Sequence, residues 1–438
     1  HKERVTPLEP IPGPPAHPIL GNIPDFLKHE NPWDGISKFV EEYGPIVRIQ
    51  LGRKPALLLH QPEWIGQVML HQRHLYHKIE PVDALRPIVT DSNPFIANGA
   101  DWHHKRKQSF LSRAQFEGWM ESQRPELEQL FFERFQSFSE HASIQSFEKQ
   151  VQKMLFDVLS ILTVGQLFED RVYRDFCKVM KVGDLRMKTS LPLFMPGFFQ
   201  ARKRWFEAFG HLMTNRSKGH AILHVMQKGS PLTREFFRNE LANVFPGGLF
   251  SLTGALTNAI ALVATYPERC IPSDTQQAEG EGNPTSPPSL LYSDAWVEAI
   301  LRETLRLYPP APIFSRAVRE GTVQLGGFQL PESTRILISP IPLHRSEEAW
   351  TQPNTFLPQR WDKKTLQQHS FGSAYFFPFG RGPRACIGQA LAMFILRTGL
   401  RTFLHHFSAT RQAKDLHQQY FFACMLPKKL HISITKNS

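Results

Sequence analysis

The chain is poor in cysteine. Its 438 residues contain four, Cys177, Cys270, Cys386 and Cys424, and no two of them form a Cys-x-x-Cys pair. This spacing excludes a disulfide scaffold and argues against a structural zinc site. A reducing compartment fits such a composition.

The chain also lacks an internal repeat and a secretory signal peptide. It begins with His1 rather than Met, so a natural leader or anchor could have been removed. We expect a cytoplasmic protein if the chain is near full length, and an endoplasmic reticulum protein if an N-terminal anchor is missing. Membrane contact is expected only through such a missing anchor.

Charge is absent from one long stretch. The 27 residues from Leu241 to Pro267 carry no charged side chain, which is long enough to cross a bilayer. Pro246, Asn243, Asn258 and several hydroxyls interrupt the run, however. A helix that is apolar on all sides and buried at the centre of a protein is therefore the better interpretation.

Apolar and basic residues are plentiful. The chain is 41% hydrophobic with 34 Phe and 8 Trp, which is enough to bury a large core and excludes a disordered protein. The net charge of +11 permits acidic partners. The basic run His103–Lys107 lacks the interleaved aromatics of a nucleic-acid site, so we expect no nucleic-acid partner and either a solvated surface or docking of an acidic protein.

The order of the local patterns predicts a mainly α (α+β) fold. Residues 1–24 form a proline-rich arm that cannot be helix or central strand, and 25–438 form one domain. Alternating residues 47–59 predict a β-hairpin, helical periodicity dominates 62–262, and a polar loop covers 273–288. A helix is predicted at 293–307, short strands follow, and a last helix is predicted at 387–407.

The segment FGRGPRACIG, residues 379–388, carries the strongest chemical signal. Cys386 precedes a predicted helix, whose free N–H groups and dipole favour a thiolate that can bind a metal. The three glycines remove side chains where a flat cofactor must come close, and the two arginines can neutralise carboxylates on it. Haem iron held by one cysteine needs all three features. The competing interpretation is a buried cysteine in a glycine turn.

The spacing F-x-x-G-x-R-x-C-x-G resembles the haem-thiolate signature of the cytochrome P-450 superfamily. A chance match of five fixed letters in this chain has odds of about one in ten thousand. The resemblance implies the cytochrome P-450 fold, a helical domain with small β-sheets, for a haem-thiolate catalytic domain at 25–438. It also implies haem b (iron protoporphyrin IX), with Cys386 as the iron ligand and Phe379 and Arg384 beside the cofactor.

Further segments occur in the order that this resemblance demands. Glu303 and Arg306 in ETLR, with Arg360 in FLPQRW, match the family's buried three-charge network that supports the cysteine loop; alone, the pair would be an ordinary surface ion pair. Trp102 and Arg106 in DWHHKR match a helix whose side chains hold a haem propionate. Arg316 aligns with another propionate-binding residue.

The oxygen-activating segment departs from the family pattern. The family has a small residue, Gly, any residue, an acid and Thr in its central helix, and here these positions are Gly247 to Ser251. Phe250 stands where the acid is expected and cannot donate a proton. Ser251 is the expected catalytic hydroxyl.

The resemblance implies an enzyme that inserts one oxygen atom into an apolar small molecule such as a lipid, steroid or terpenoid. A separate electron-donor protein, a reductase or ferredoxin, is expected, because no flavin or iron–sulfur sequence is present. Two alternatives stay open: direct use or rearrangement of a peroxide or endoperoxide, and a non-catalytic haem sensor. The residues expected to line the substrate pocket are Phe95, Phe245, Leu249, Phe250, Ile313, Phe314 and Phe422.

Overall fold

The computed structural model describes most of the chain. The described residues are 8, 10–29, 31, 34–52, 54–78, 85–91, 93–109, 111, 116–140, 146–189, 192–212, 233–271, 292–411 and 416–437. The predicted polar loop at 273–288 lies outside them.

Helices dominate the described residues, as expected from the periodicity. They are α1 Ile23–Leu27, α2 Asp34–Tyr43, α3 Pro62–Gly66, α4 Gly99–Gln108, α5 Phe116–Glu140, α6 Phe147–Val164, α7 Asp170–Thr189, α8 Phe198–Leu212, α9 Arg234–Thr265, α10 Asp294–Leu307, α11 Ile341–His344, α12 Lys363–Gln368 and α13 Gln389–His406. The helix predicted at 293–307 begins one residue later, because the Ser293 hydroxyl caps it by accepting a hydrogen bond from the Trp296 N–H.

The strands form one larger sheet and three hairpin-like pairs. They are β1 Ile46–Leu51, β2 Lys54–Leu59, β3 Tyr76–His77, β4 Phe314–Val318, β5 Thr322–Leu325, β6 Phe328–Pro331, β7 Arg335–Ile338, β8 Phe407–Thr410, β9 Gln418–Phe421, β10 Cys424–Pro427 and β11 Ser433–Lys436. The order in the five-stranded sheet is β1-β2-β7-β4-β3, with β2 and β7 parallel. The predicted hairpin is confirmed as β1 and β2.

The described part of the N-terminal arm is fixed to this sheet. Leu8 and Ile11 are buried in the same apolar cluster as the sheet residues. The Arg48 N–H donates to the Pro12 carbonyl at 2.7 Å, and a Cβ at Gly13 would overlap the Arg48 carbonyl. The arm is thus anchored to the sheet at its buried residues, while residues 15–20 are exposed; its last two residues, Ile23 and Pro24, lie in helix α1, so the expectation that the arm contains no helix is wrong there.

The uncharged run forms most of helix α9. By length and composition, Glu235–Thr265 could cross a membrane, yet 78% of its most apolar window is buried inside the protein. Pro246 lies within this helix without ending it. The helix contributes to the largest apolar cluster, together with α5, α6, α7 and α13. The buried-helix interpretation therefore agrees with the fold.

Candidate haem-binding site

Cys386 lies on a tight loop that ends in helix α13. A single 3₁₀ turn, Gly382–Arg384, precedes it, and the Cys386 N–H donates to the Phe379 carbonyl at 2.8 Å. Helix α13 begins at Gln389, two residues later than predicted, so Cys386 precedes the helix by three positions. The Phe379 ring packs edge-on against Phe371 at 5.2 Å, which fixes the start of the loop.

The surroundings of the Cys386 thiol act on its pKa in opposite directions. The Cys386 side chain is exposed, but protein atoms surround it closely enough that burial raises the pKa of the thiol. A hydrogen bond with the Gly388 backbone and the positive charges of Arg106 and Lys78 act in the opposite direction. Burial is the largest of these influences, so the packed loop itself opposes the thiolate that the sequence predicts, and a coordinated metal cation would favour it.

Two of the loop glycines are required by the backbone conformation. Gly382 has φ +73°, and a Cβ there would lie 2.3 Å from the Met69 carbonyl oxygen. Gly380 has φ +77°, and its Cβ would meet the Phe314 ring at 3.2 Å. Left-handed backbone and close packing thus require glycine at these two positions, in addition to the close cofactor approach that the sequence predicts.

Trp102 lies between two guanidinium groups. The Arg384 guanidinium is 4.5 Å from the Trp102 ring and that of Arg106 is 5.8 Å away. Arg384 donates to the Ala97 carbonyl at 3.1 Å and to the Asn98 side chain at 2.9 Å, while Arg106 donates to the Ala385 carbonyl at 3.0 Å. Helix α4 and the cysteine loop are joined through these contacts.

Arg316, which is buried, and Lys78, which is half-buried, complete a group of four cations with Arg106 and Arg384. Burial and the neighbouring Arg384 lower the pKa of Arg316 to about 10, and burial and Arg106 lower that of Arg384 to about 10. Burial, then repulsion from Arg316 and Arg384, holds the pKa of Lys78 well below its usual range, while Cys386 acts in the opposite direction. Mutual repulsion of this kind is relieved by bound anions.

Lys78 was missed by the sequence reasoning. It follows strand β3, and its ammonium lies 2.8 Å from the centre of the Phe95 ring. The Lys78 N–H donates to the Asn98 side-chain oxygen, and the Asn98 side-chain amide donates to the Lys78 carbonyl. The same Asn98 oxygen also accepts a hydrogen bond from Arg384. Lys78 stands alone in sequence, so only the tertiary fold brings it to the arginines.

The Glu303 carboxylate is fully buried and accepts five hydrogen bonds. Arg306 donates to both of its oxygens at 2.8 and 2.9 Å, and Arg360 donates at 2.9 Å. The Leu357 N–H and the Trp361 indole N–H each add a bond at 2.9 Å. The structure thus brings Glu303, Arg306 and Arg360 together, as the sequence predicts, and hydrogen bonds join both guanidinium groups to the buried carboxylate.

His344 connects this network to the cysteine loop and was also missed. Its Nδ1 lies 3.1 Å from the Arg306 carbonyl oxygen, and its Nε2 accepts from the Phe377 N–H at 2.9 Å. Because a carbonyl only accepts, Nδ1 carries the proton and the ring is neutral. Burial lowers the pKa of His344 to about 3. No local spacing marks it among 19 histidines.

Ser251 and Phe250 lie in the middle of helix α9. The Ser251 hydroxyl donates to the Gly248 carbonyl at 3.0 Å, as helical serines commonly do. Phe250 is buried, stacked on Phe176 at 6.2 Å and in contact with Phe421 at 4.9 Å. An aromatic cluster therefore occupies the position where the resemblance expects an acid.

The residues expected to line the substrate pocket fall into two groups. Phe245, Leu249, Phe250 and Phe422 are buried, and Phe245 packs within an aromatic cluster 5.1 Å from Phe156 and 5.0 Å from Trp205. Phe95 and Ile313 are 44% and 40% exposed, and Phe314 is half-buried.

A cavity of about 670 Å³ opens on the outside of the loop 85–91. Four residues of that loop, Arg86, Val89, Thr90 and Asp91, line it together with parts of α8 and the start of α9. Its lining includes none of the seven residues expected for the substrate pocket. Cys386 is not among its lining residues either, so this cavity is separate from the cysteine loop.

The fold and the site define a mainly helical protein with a cysteine loop supported by a buried carboxylate network. Comparison with protein families gives a match to Cytochrome P450 over residues 11–200 and 202–433. The chain therefore belongs to the cytochrome P450 family, and it is an oxidoreductase of the monooxygenase type. The family implies a haem-iron cofactor, a small-molecule substrate and, in general, a redox partner.

Curated relatives align over nearly the whole chain at low identity. A 6,7,8-trihydroxycoumarin synthase of Pastinaca sativa is 25% identical and covers 93% of this chain and 88% of its own length. A ferruginol synthase of Salvia fruticosa is 23% identical, covering 97% and 93%. Cytochrome P450 4d10 of Drosophila mettleri is 25% identical, covering 91% and 85%.

Proposed function

We propose that the chain binds haem b through the Cys386 thiolate and oxygenates an apolar small molecule with electrons from a separate donor protein. The observation that carries this is the exposed Cys386 thiol beside four cations, of which Arg316 is buried and Lys78, Arg106 and Arg384 are half-buried. An iron cation would stabilise the thiolate, and the two propionates of haem would offset two of the four positive charges. The residues present therefore fit the group.

Each part of the site has a separate task in this proposal. Cys386 would ligate the iron; Trp102, Arg106, Arg316, Arg384 and Lys78 would hold the propionates; Phe379 would contact the haem. Glu303, Arg306 and Arg360 are structural and act on the cysteine loop through His344. When bound, thiolate-ligated haem supplies dioxygen activation.

The substrate is proposed to be apolar, a lipid, steroid, terpenoid or similar. Support comes from the aromatic residues around Phe250 and from relatives named for such chemistry, including a germacrene A acid 8-beta-hydroxylase of Inula hupehensis. Burial of aromatic and aliphatic surface is the main source of affinity for such molecules.

The donor is proposed to dock on the basic face of α4. His103, His104 and Lys107 are exposed there, one turn from the Trp102 and Arg106 side chains. Charge complementarity with an acidic protein would raise the association rate at low salt. We place this reaction in the cytoplasm or on the cytoplasmic side of the endoplasmic reticulum, which cell fractionation tests.

The test of the iron ligand is the optical spectrum of the reduced, CO-bound protein. The main band distinguishes thiolate from imidazole ligation. Cys386→Ala should lose the thiolate band, whereas Cys424→Ala, a matched change at a half-buried cysteine, should keep it. A Cys386→Ala protein with the parent spectrum and haem content would refute the assignment.

A second function is favoured by one observation. The buried Phe250 leaves the expected acid position without a proton donor, which suits direct use or rearrangement of a peroxide or endoperoxide. Turnover of an organic peroxide without any electron donor, together with failure to consume electrons, would favour this alternative over the monooxygenase.

A further inference from the structure

The turn between strands β9 and β10 has an unfavourable sequence for its shape. Phe421 pairs with Cys424, so the loop contains only Phe422 and Ala423, and their φ angles are +47° and +60°. Two-residue hairpin loops with two left-handed residues strongly prefer Asn-Gly or Asp-Gly. Phe and Ala are disfavoured there, so the turn requires support from its surroundings.

Helix α7 supplies that support through two consecutive residues. The Asp184 carboxylate accepts a hydrogen bond from the Phe422 N–H at 2.9 Å. At Gly183 a Cβ would lie 2.6 Å from the Phe422 ring and 2.3 Å from the Ile88 side chain. The turn, α7 and the loop 85–91 therefore interlock at this point, and only glycine permits the fit.

The turn and the end of strand β9 also contact the centre of helix α9. The rings of Phe421 and Phe422 lie 4.9 and 5.9 Å from that of Phe250. Phe250 directly precedes Ser251, the proposed catalytic hydroxyl. A displacement of the turn would therefore move the aromatic surface beside the proposed reaction site.

We propose that Asp184 is a positioning residue that sets the size selectivity of the substrate pocket by holding the Phe422–Ala423 turn in its left-handed conformation. This inference rests on the proposed function, since it requires a substrate pocket beside the proposed haem site. Without Asp184, the turn relaxes toward ordinary φ values and the Phe422 ring leaves its place against Gly183 and Phe250.

The Asp184 carboxylate has a second partner that separates this role from a structural one. Its other oxygen pairs with Lys188 at 2.7 Å, four residues along the same helix. The Lys188 ammonium also lies 6.0 Å from the centre of the Phe421 ring. Lys188→Gln removes the ion pair and this ring contact but leaves the bond to the Phe422 N–H, so it is the matched control for the loss of that bond alone.

The test compares two haem ligands, imidazole and 4-phenylimidazole, by optical titration of the holoprotein. Both bind iron through a ring nitrogen, and they differ by one phenyl group, so the ratio of their dissociation constants reports on the pocket wall. We expect Asp184→Ala to change this ratio by about threefold to tenfold, the effect of one lost hydrogen bond. Lys188→Gln should leave it unchanged.

A second substitution tests the cause. Ala423→Gly relieves the left-handed strain at one turn position without removing an aromatic ring. In the Ala423→Gly background, Asp184→Ala should change the ratio less than it does alone. An equal change in both backgrounds would overturn the explanation by turn strain.

Other outcomes decide the proposal as well. An unchanged ratio in Asp184→Ala, or an equal change in Lys188→Gln, overturns it. If Asp184→Ala yields no holoprotein, Gly183→Ala is measured in its place. Alanine keeps α7 helical while its methyl group displaces the Phe422 ring. A changed ratio of dissociation constants then supports the inference, and an unchanged ratio overturns it. A parent protein without the thiolate band instead overturns the proposed function, and this inference with it.

Discussion

The cysteine-loop side and the helix-α9 side of the site are built in different ways. On the cysteine-loop side, charged and backbone groups compensate each other: Glu303 accepts five hydrogen bonds, and His344 spans from Arg306 to Phe377. On the α9 side, rings pack on rings, with Phe250 against Phe176 and Phe421.

This difference separates what the fold requires from what can vary. A buried carboxylate must keep all its partners, because losing one leaves a charge uncompensated. Aromatic packing tolerates replacement by other apolar shapes at modest cost. The cysteine-loop side therefore matches the family pattern at every motif position, whereas the α9 side departs from that pattern at Phe250.

The largest effect is expected at Glu303. Glu303→Ala leaves Arg306 buried without its carboxylate and should lower the free energy of unfolding by about 3–5 kcal/mol. Little soluble haem-containing protein is expected, measured as the haem-to-protein ratio after purification.

The matched control for Glu303 is on the same helix. Asp294 pairs with Arg401 at 3.1 Å in the first turn of α10 and its side chain is 69% exposed, so Asp294→Ala should cost no more than about 1 kcal/mol. A haem-replete Glu303→Ala variant with the thermal stability of Asp294→Ala would show that the buried network is not needed.

Gly382 should give the next largest effect. Gly382→Ala combines a left-handed backbone angle with a methyl group 2.3 Å from the Met69 carbonyl oxygen. Gly321 has a similar φ of +67° with open space around it, so Gly321→Ala should cost only about 1–2 kcal/mol. Heat denaturation of both variants measures the difference, and equal losses would mean that the loop can move away from Met69.

Much of this architecture could be predicted from the sequence, and the reasons for the rest are physical. The β1–β2 hairpin, helix α10 and the Glu303–Arg306 pair depend on residues close in the chain, so period and spacing indicate them. Lys78 and His344 meet their partners through the tertiary fold, and no short pattern reveals them. The effect of desolvation on Cys386 also required the packed structure.

Acid sensitivity provides a smaller effect on the cysteine-loop side. Burial lowers the pKa of His344 and of His60 to about 3. Below about pH 6.5 these histidines are protonated in the unfolded chain but stay neutral in the folded protein. The free energy of unfolding therefore falls as the pH is lowered from 6.5 toward 3, by about 1.4 kcal/mol per pH unit for each group. Protonation of His344 Nε2 would also break its bond with the Phe377 N–H.

The measurement is the heat-denaturation midpoint at pH 7.5 and at pH 5.5. His344→Gln keeps a donor and an acceptor but does not titrate, so its midpoint should fall less on acidification than that of the parent. His103→Gln, at an exposed histidine on α4, serves as control and should behave like the parent. An identical fall of the denaturation midpoint in all three proteins would show that groups other than His344 cause the acid sensitivity.

The smallest and most specific effect is expected on the α9 side, in the coupling of electrons to product. Proton delivery to bound dioxygen needs a hydroxyl or water chain and a proton source; Ser251 offers the hydroxyl, but the buried Phe250 cannot supply the proton. Phe250→Glu should therefore raise the fraction of consumed electrons that appears as oxygenated product, and Ser251→Ala should lower it. Reductant consumed and product formed are measured for the parent and both variants with one accepted substrate.

Phe250→Leu, which removes the ring without adding an acid, separates proton supply from loss of contacts with Phe176 and Phe421. If the parent already couples the two nearly stoichiometrically and Ser251→Ala changes nothing, protons arrive by another route, and the contrast between the two sides of the site is one of packing alone.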